Sequence, residues 1–252
     1  MRSVRRISSF FGVFLYVSFF WMCLSLLGMM GLKKQRRALQ LFTFRHVLKI
    51  WHITLTIEGT PAPAPALWVA NHCSYLDVGI IGAIDSVRFT PKSEVRRWPV
   101  IGQMVQAFDV IFVDRTPSKS KKAQQDLLAA LRGGDRICVF PEGTTNDGQN
   151  LKPFKPTLFS LAEQWDGDTP LAVQPIAIAY RCADGAPITA AQWPHIAWFG
   201  DQDLISHLWT FSGFKRIDVV VHCLPPLHLG EHYEHRKALA QAAYDGIAQH
   251  IS

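Results

Sequence analysis

Apolar residues are spread unevenly along the chain, and their spacing changes from segment to segment. Residues 10–32 carry no charge and are rich in Phe, Leu and Met, a run long enough to span a bilayer as a helix. Residues 38–51 mix aromatic and aliphatic positions with Arg45 and Lys49 four apart, which predicts an amphipathic helix able to lie among lipid headgroups. Ile53-Thr54-Leu55-Thr56-Ile57 then alternates apolar and polar residues, the pattern of a strand with one wet face. Three prolines make residues 59–66 a stiff loop.

Beyond that loop, short apolar runs alternate with helical stretches. Strands are predicted at Leu67-Trp68-Val69-Ala70, Val87-Arg88-Phe89-Thr90, Val110-Ile111-Phe112-Val113 and Ile137-Cys138-Val139-Phe140. Two more follow over residues 173–179 and 217–222, with Pro175 favouring an edge or a bulge in the former. Helices are predicted over 78–84, 117–132 and most of 231–251. The second has Pro117 in its first turn, an apolar face of Ala123, Leu127, Ala130 and Leu131, and Gly133-Gly134 as its stop. This order predicts the α/β class: a central, mostly parallel sheet flanked by helices. The chain divides into a membrane anchor with its amphipathic helix, residues 1–51, and an α/β domain, residues 52–252.

Charge sharpens that division. Residues 1–50 hold nine Lys or Arg and no acid, whereas the remainder holds 17 basic and 20 acidic residues, so the formal +6 belongs to the N-terminal segment. Arg2, Arg5 and Arg6 precede the apolar run, and Lys33, Lys34, Arg36 and Arg37 follow it. That bracketing predicts a membrane partner, by a span or by two helices dipping into one leaflet, and no nucleic-acid partner. Both flanks are basic, so the positive-inside rule sets no orientation. Five cysteines without CxxC spacing imply a reducing compartment.

Candidate chemistry sits where strands end. His72 and Asp77 follow the 67–70 strand across one turn. A His there takes a proton near neutral pH, and an Asp on its far nitrogen fixes the tautomer and stabilises the imidazolium. Asn71 reads equally as a helix N-cap. Arg115 ends the 110–113 strand and offers a forked cation to a phosphate or carboxylate. Glu142-Gly143-Thr144 ends the 137–140 strand; Gly143 allows close backbone approach to a ligand, and Glu142 orients cations or anchors the loop. Parallel strands bring these groups to one edge. Ten His prompt a metal-dependent hydrolase as an alternative, with His232 and His235 a candidate ligand pair, but no zinc-protease motif is present. A non-enzymatic membrane-tethered module needs neither His72 nor Asp77.

Asn71-His72-x-x-x-x-Asp77, Lys92-x-Glu94 with Pro99 and Gly102, Phe112-Val113-Asp114-Arg115, Phe140-Pro141-Glu142-Gly143-Thr144 and Val173-x-Pro175 stand in an order that resembles the glycerolipid acyltransferases. The best-known of these are the 1-acyl-sn-glycerol-3-phosphate (lysophosphatidate) acyltransferases. The resemblance implies transfer of a fatty acyl group from acyl-CoA or acyl carrier protein to the free hydroxyl of 1-acyl-sn-glycerol-3-phosphate, giving phosphatidic acid. It implies His72 as general base, Asp77 as its partner, and Lys92, Arg115, Glu142, Gly143 and Thr144 as acceptor-binding residues. It further implies direct transfer, with Cys73 structural, and neither a cofactor nor a metal. The implied location is the membrane, with the catalytic domain on the cytoplasmic side. One position departs: Thr145 stands where many phosphatidate-forming members carry a basic residue, with Lys152 or Lys155 as a replacement. The longer run Thr144-Thr145-Asn146-Asp147-Gly148, then Pro153-Phe154-Lys155, resembles relatives acting on other acceptors, including lyso-ornithine lipid and lysophospholipids.

Overall fold

The computed structural model describes residues 2–99, 101–114, 117–231 and 233–251. Two helices open the chain, α1 (Arg2–Met29) and α2 (Lys33–Ile50), followed by β1 (Ile53–Gly59) and β2 (Ala66–Ala70). Next come α3 (Leu76–Ile84), β3 (Arg88–Phe89), α4 (Ile101–Gln106), α5 (Pro117–Arg132) and β4 (Arg136–Val139). The remainder is α6 (Ser160–Glu163), β5 (Ala172–Ala183), β6 (Ala186–Pro187), α7 (Leu204–Phe211), β7 (Ile217–Cys223) and α8 (Arg236–Ile251). The strands form one sheet in the order β1-β7-β5-β2-β4-β3, with β6 added to β5. Every pairing along that path is parallel except β5 with β7.

The central strands are apolar throughout because both faces are covered. Along β2, Ala66, Trp68 and Ala70 join one core with Phe44 and Leu48 of α2, Ile80 and Ile81 of α3, and Phe211 of α7. Leu67 and Val69 join the opposite core with Leu127 and Leu131 of α5 and Leu239 and Ala243 of α8. The predicted apolar face of α5 is therefore the one that packs.

Two predicted strand features differ. Residues 110–113 form no strand: Ile111 N–H bonds Phe89 O and Val113 N–H bonds Pro91 O, and a single bridge joins Val113 to Lys92. Pro91 has no N–H to return, so no ladder develops. Pro175 lies inside β5, a central strand, opposite Val69. It is tolerated because its nitrogen faces β7 where that ladder ends: the last pair is Ile176 with Cys223, and Pro175 O accepts from Leu224 N–H.

The two N-terminal helices form an antiparallel hairpin. Tyr16 stacks on His46, Phe20 contacts Phe42, and Gly28 lies against Arg36. α2 is more than an amphipathic surface helix. Phe44, Val47 and Leu48 are buried, and the Phe44 ring fills the space that a side chain on Gly82 of α3 would need. Side-chain hydrogen bonds tie α1 to the domain at separated positions along its length: Arg5 Nη2 donates to Gly213 O at 2.6 Å, and Trp21 Nε1 to Gln103 O at 3.1 Å. Val4–Met29 is long and apolar enough to cross a membrane. Its outward residues Val4, Ile7, Phe11, Leu15, Phe19, Met22, Leu26 and Met29 recur at helical spacing.

Candidate active site

Local chain geometry sets the His72–Asp77 pair. β2 delivers Asn71 and His72 to its carboxyl end, a tight turn follows, and Asp77 falls in the first turn of α3. Asn71 is not a helix cap: its Nδ2 donates to Ile178 O at 3.0 Å and its Oδ1 accepts from Ile178 N at 2.8 Å, stitching the end of β2 to β5. Asp77 is fully buried. Its Oδ2 accepts from His72 Nδ1 at 2.9 Å, Cys73 N–H at 2.8 Å and Ser74 N–H at 2.9 Å. Those backbone donors fix the direction in which the carboxylate points. Because Nδ1–H donates to a carboxylate, the lone pair of the neutral ring is on Nε2. The His72 side chain is 18% exposed, and among the described residues nothing in the protein bonds Nε2. Phe140 stacks on the ring at 3.9 Å between centroids and 13° between planes.

The loop after β4 is locked to this turn because β2 and β4 are parallel neighbours. Glu142 is buried, and both of its oxygens are occupied by protein. Oε1 accepts from His72 N–H at 2.7 Å; Oε2 accepts from Asn146 Nδ2 at 2.6 Å and Lys152 N–H at 2.9 Å. His72 O in turn accepts from Asn146 N–H at 2.9 Å. Burial raises the Glu142 carboxyl above its ordinary value, opposed by these donors. Glu142 thus anchors the loop and fixes the His72 backbone. Gly143 has φ 72°, and the Lys155 ammonium fills the place of its missing side chain. Thr144 is exposed beside it. Lys152 Nζ donates to Thr145 O at 2.8 Å.

Lys92 follows β3 on the same edge of the sheet, with Nζ 3.9 Å from Glu94 Oε1. Arg115 lies outside the described residues. Cys73 is buried, and burial together with Asp77 and Glu142 pushes its thiol well above the ordinary value, so it is no thiolate nucleophile. Among the described residues no group of three or more His, Cys, Asp or Glu is placed to hold a metal. His232 lies outside them, and His235 Nδ1 accepts from Ala238 N–H at the start of α8.

Two features of the site were not read from the sequence. Tyr180 of β5 donates its hydroxyl to Asp77 Oδ1 at 2.6 Å. An aromatic wall flanks the turn: Trp198 N–H bonds Cys73 O at 2.8 Å, and its ring meets Tyr75 and Trp98 edge-on. Both contacts join residues far apart in the chain, and no local spacing announces them.

This chain is similar to known enzymes over much of its length. It is 37% identical to the lyso-ornithine lipid O-acyltransferase of Pseudomonas aeruginosa over 68% of this chain and 62% of that one. It is 34% identical to the protein of that name from Brucella abortus over 82% of this chain and 79% of that one. The 1-acyl-sn-glycerol-3-phosphate acyltransferase of Neisseria meningitidis serogroup B is 29% identical over 70% of this chain and 67% of its own length. The crystal structure of the Thermotoga maritima 1-acyl-sn-glycerophosphate (LPA) acyltransferase superposes with a TM-score of 0.70 at 17% identity. That match covers 99% of this chain and 95% of the other, and shows a common fold. Residues 52–179, which carry both strand ends and the His72–Asp77 pair, match the Acyltransferase family, and the chain belongs to that family.

Proposed function

We propose that the chain transfers a fatty acyl group from a thioester, acyl-CoA or acyl carrier protein, to the hydroxyl of a lyso-ornithine lipid. The observation that carries acyl transfer is the buried Asp77 carboxylate holding His72 with Nε2 open. His72 Nε2 takes the proton of the acceptor hydroxyl as its oxygen attacks the thioester carbonyl. Asp77 stabilises the imidazolium. As the tetrahedral intermediate collapses, the carbon–sulfur bond breaks and the imidazolium proton passes to the leaving thiolate, which restores neutral His72. No group on the protein is acylated. The wall of Tyr75, Trp98 and Trp198 offers apolar surface to an acyl chain.

The choice of acceptor rests on the relatives named for lyso-ornithine lipid and on Thr145. An uncharged side chain there removes a cation that a phosphate monoester would use, and Lys152 is turned to a backbone carbonyl. Lys155 at Gly143 suits the single carboxylate of an ornithine headgroup. The second reading, 1-acyl-sn-glycerol-3-phosphate as acceptor, is favoured by that same lysine and by the Neisseria relative. One labelled acyl donor offered to both lysolipids, with products identified by mass, decides between them. Faster product from lyso-ornithine lipid supports the proposal; product from the phosphate acceptor alone overturns it.

The protein also works, on this reading, from one leaflet of a membrane. The contacts of Arg5 and Trp21 lie sixteen residues apart, about 24 Å of helix. An upright α1 would drag α4 and α7 across the hydrocarbon core, whereas a flat one presents its apolar stripe to lipid. Ile205 and Trp209 of α7 extend that stripe, with Phe10 edge-on to Trp209 and Arg6 over its ring. The cytoplasmic face is the side on which acyl-CoA and acyl carrier protein are supplied.

A further inference from the structure

Among the described residues, Asp77 Oδ2 has three N–H donors, but Oδ1 has one close partner. The Tyr180 hydroxyl donates to it at 2.6 Å, and Cys73 Sγ is 3.9 Å away. Tyr180 is buried in the core between β5 and α3, 103 residues from Asp77 in the chain. The register of β5 against β7 shifts between Tyr180 and Cys182. Such a bulge re-aims side chains beside it.

Resting on the assignment of His72 as base, we propose that Tyr180 is a positioning residue for the reaction. Its hydroxyl holds Asp77 Oδ1 so that Oδ2 faces His72 Nδ1. It also draws off part of the carboxylate's charge, so that the imidazolium surrenders its proton to the leaving thiolate. A charge-assisted O–H···O⁻ bond at this length is among the stronger hydrogen bonds in proteins. Purely structural packing would need the ring and not the hydroxyl.

Several other ionisable groups face Asp77. Burial and the Asp77 charge hold Cys73, Cys138 of β4 and Tyr180 protonated, and burial does the same for Tyr75. Glu142, in the loop after β4, is a carboxyl that burial raises and its N–H donors lower. His72 remains to set the acidic limb of the rate profile. Without the Tyr180 hydroxyl, Asp77 keeps its full charge for the imidazolium, so His72 stays protonated to higher pH.

The test is Tyr180→Phe in the full chain, with thermal melting to confirm folding and kcat/KM measured against pH. The expected plateau loss is about tenfold, the scale of a hydrogen bond to a charged group. The acidic limb should move up by about half a pH unit. In an Asp77→Asn background the same change should cost less than about twofold, because its route through Asp77 is gone. Site-specific 3-fluorotyrosine at 180, a stronger donor that keeps the core filled, should move the limb the other way. An unmoved limb in both variants, or losses that multiply fully in the double mutant, would overturn the role. His72→Ala separates the two assignments. If it is inactive while Tyr180→Phe behaves as wild type, only Tyr180 is misassigned; if it stays active, the base itself is wrong.

Discussion

His207 shows how one buried side chain makes the wall of the site sensitive to pH. Its ring bridges the Tyr75 hydroxyl at 3.0 Å and Ala197 O at 3.1 Å, an arrangement that suits a neutral imidazole with Nε2–H donating. Burial lowers its proton affinity from the ordinary histidine value of 6.5. The unfolded chain therefore binds that proton more tightly, so the stability it contributes is present above about 6.5 and lost as pH falls below it. The melting temperature should drop between pH 7 and pH 5.5, and drop less in His207→Gln. His222, also lowered by burial, supplies a share of the drop that both proteins keep. Equal slopes in the two proteins would show that His207 is not held neutral. At this scale His72 and Asp77 were legible because one turn separates them. Tyr180 was not, since its contact crosses the sheet. Nor was the engagement of both Glu142 oxygens, which depends on N–H groups from three separate stretches of chain.

Among the elements, the contact of α2 with α3 joins the N-terminal hairpin to the domain. Arg45 Nε donates to Ala83 O at 2.9 Å near the end of α3, and the Phe44 ring lies on Gly82. Gly82→Ala should therefore destabilise by about 1–3 kcal/mol through overpacking, although Ala is the better helix former by about 1 kcal/mol. Chemical denaturation measures this, and a gain in stability would show that the two helices do not pack so closely. Apolar runs announced the central strands because burial on both faces leaves no other composition. The residues 110–113 misled because they are as apolar as a strand, yet their neighbour Pro91 cannot complete a ladder. Pro175 misled in the opposite sense: its position at the end of one ladder is a property of β7, which follows 42 residues later.

On the scale of the whole molecule, the exposed apolar stripe of α1 lies on the hairpin and the remaining bulk of the apolar residues line two cores. Replacing Leu15 and Phe19, 74% and 58% exposed, by Asp should lower co-sedimentation with lipid vesicles while the melting temperature holds, because these side chains support no core. Full vesicle binding by that variant would remove α1 as the lipid-facing element. Composition and charge bracketing located this segment in the sequence. The contacts on which the proposed flat posture rests, Arg5 and Trp21 meeting Gly213 and Gln103 far along the chain, could not be read there.

The central claim is that His72, held by Asp77, drives direct acyl transfer to a lysolipid hydroxyl. The most direct measurement is the initial rate of labelled acyl transfer by the full chain and by folded His72→Ala, with intact-protein mass recorded at each time point. The rate should fall by at least about a hundredfold, the usual scale of general-base catalysis, and the protein mass should never show an added acyl group. A near wild-type rate in His72→Ala, or an acyl adduct on Cys73, would contradict the account.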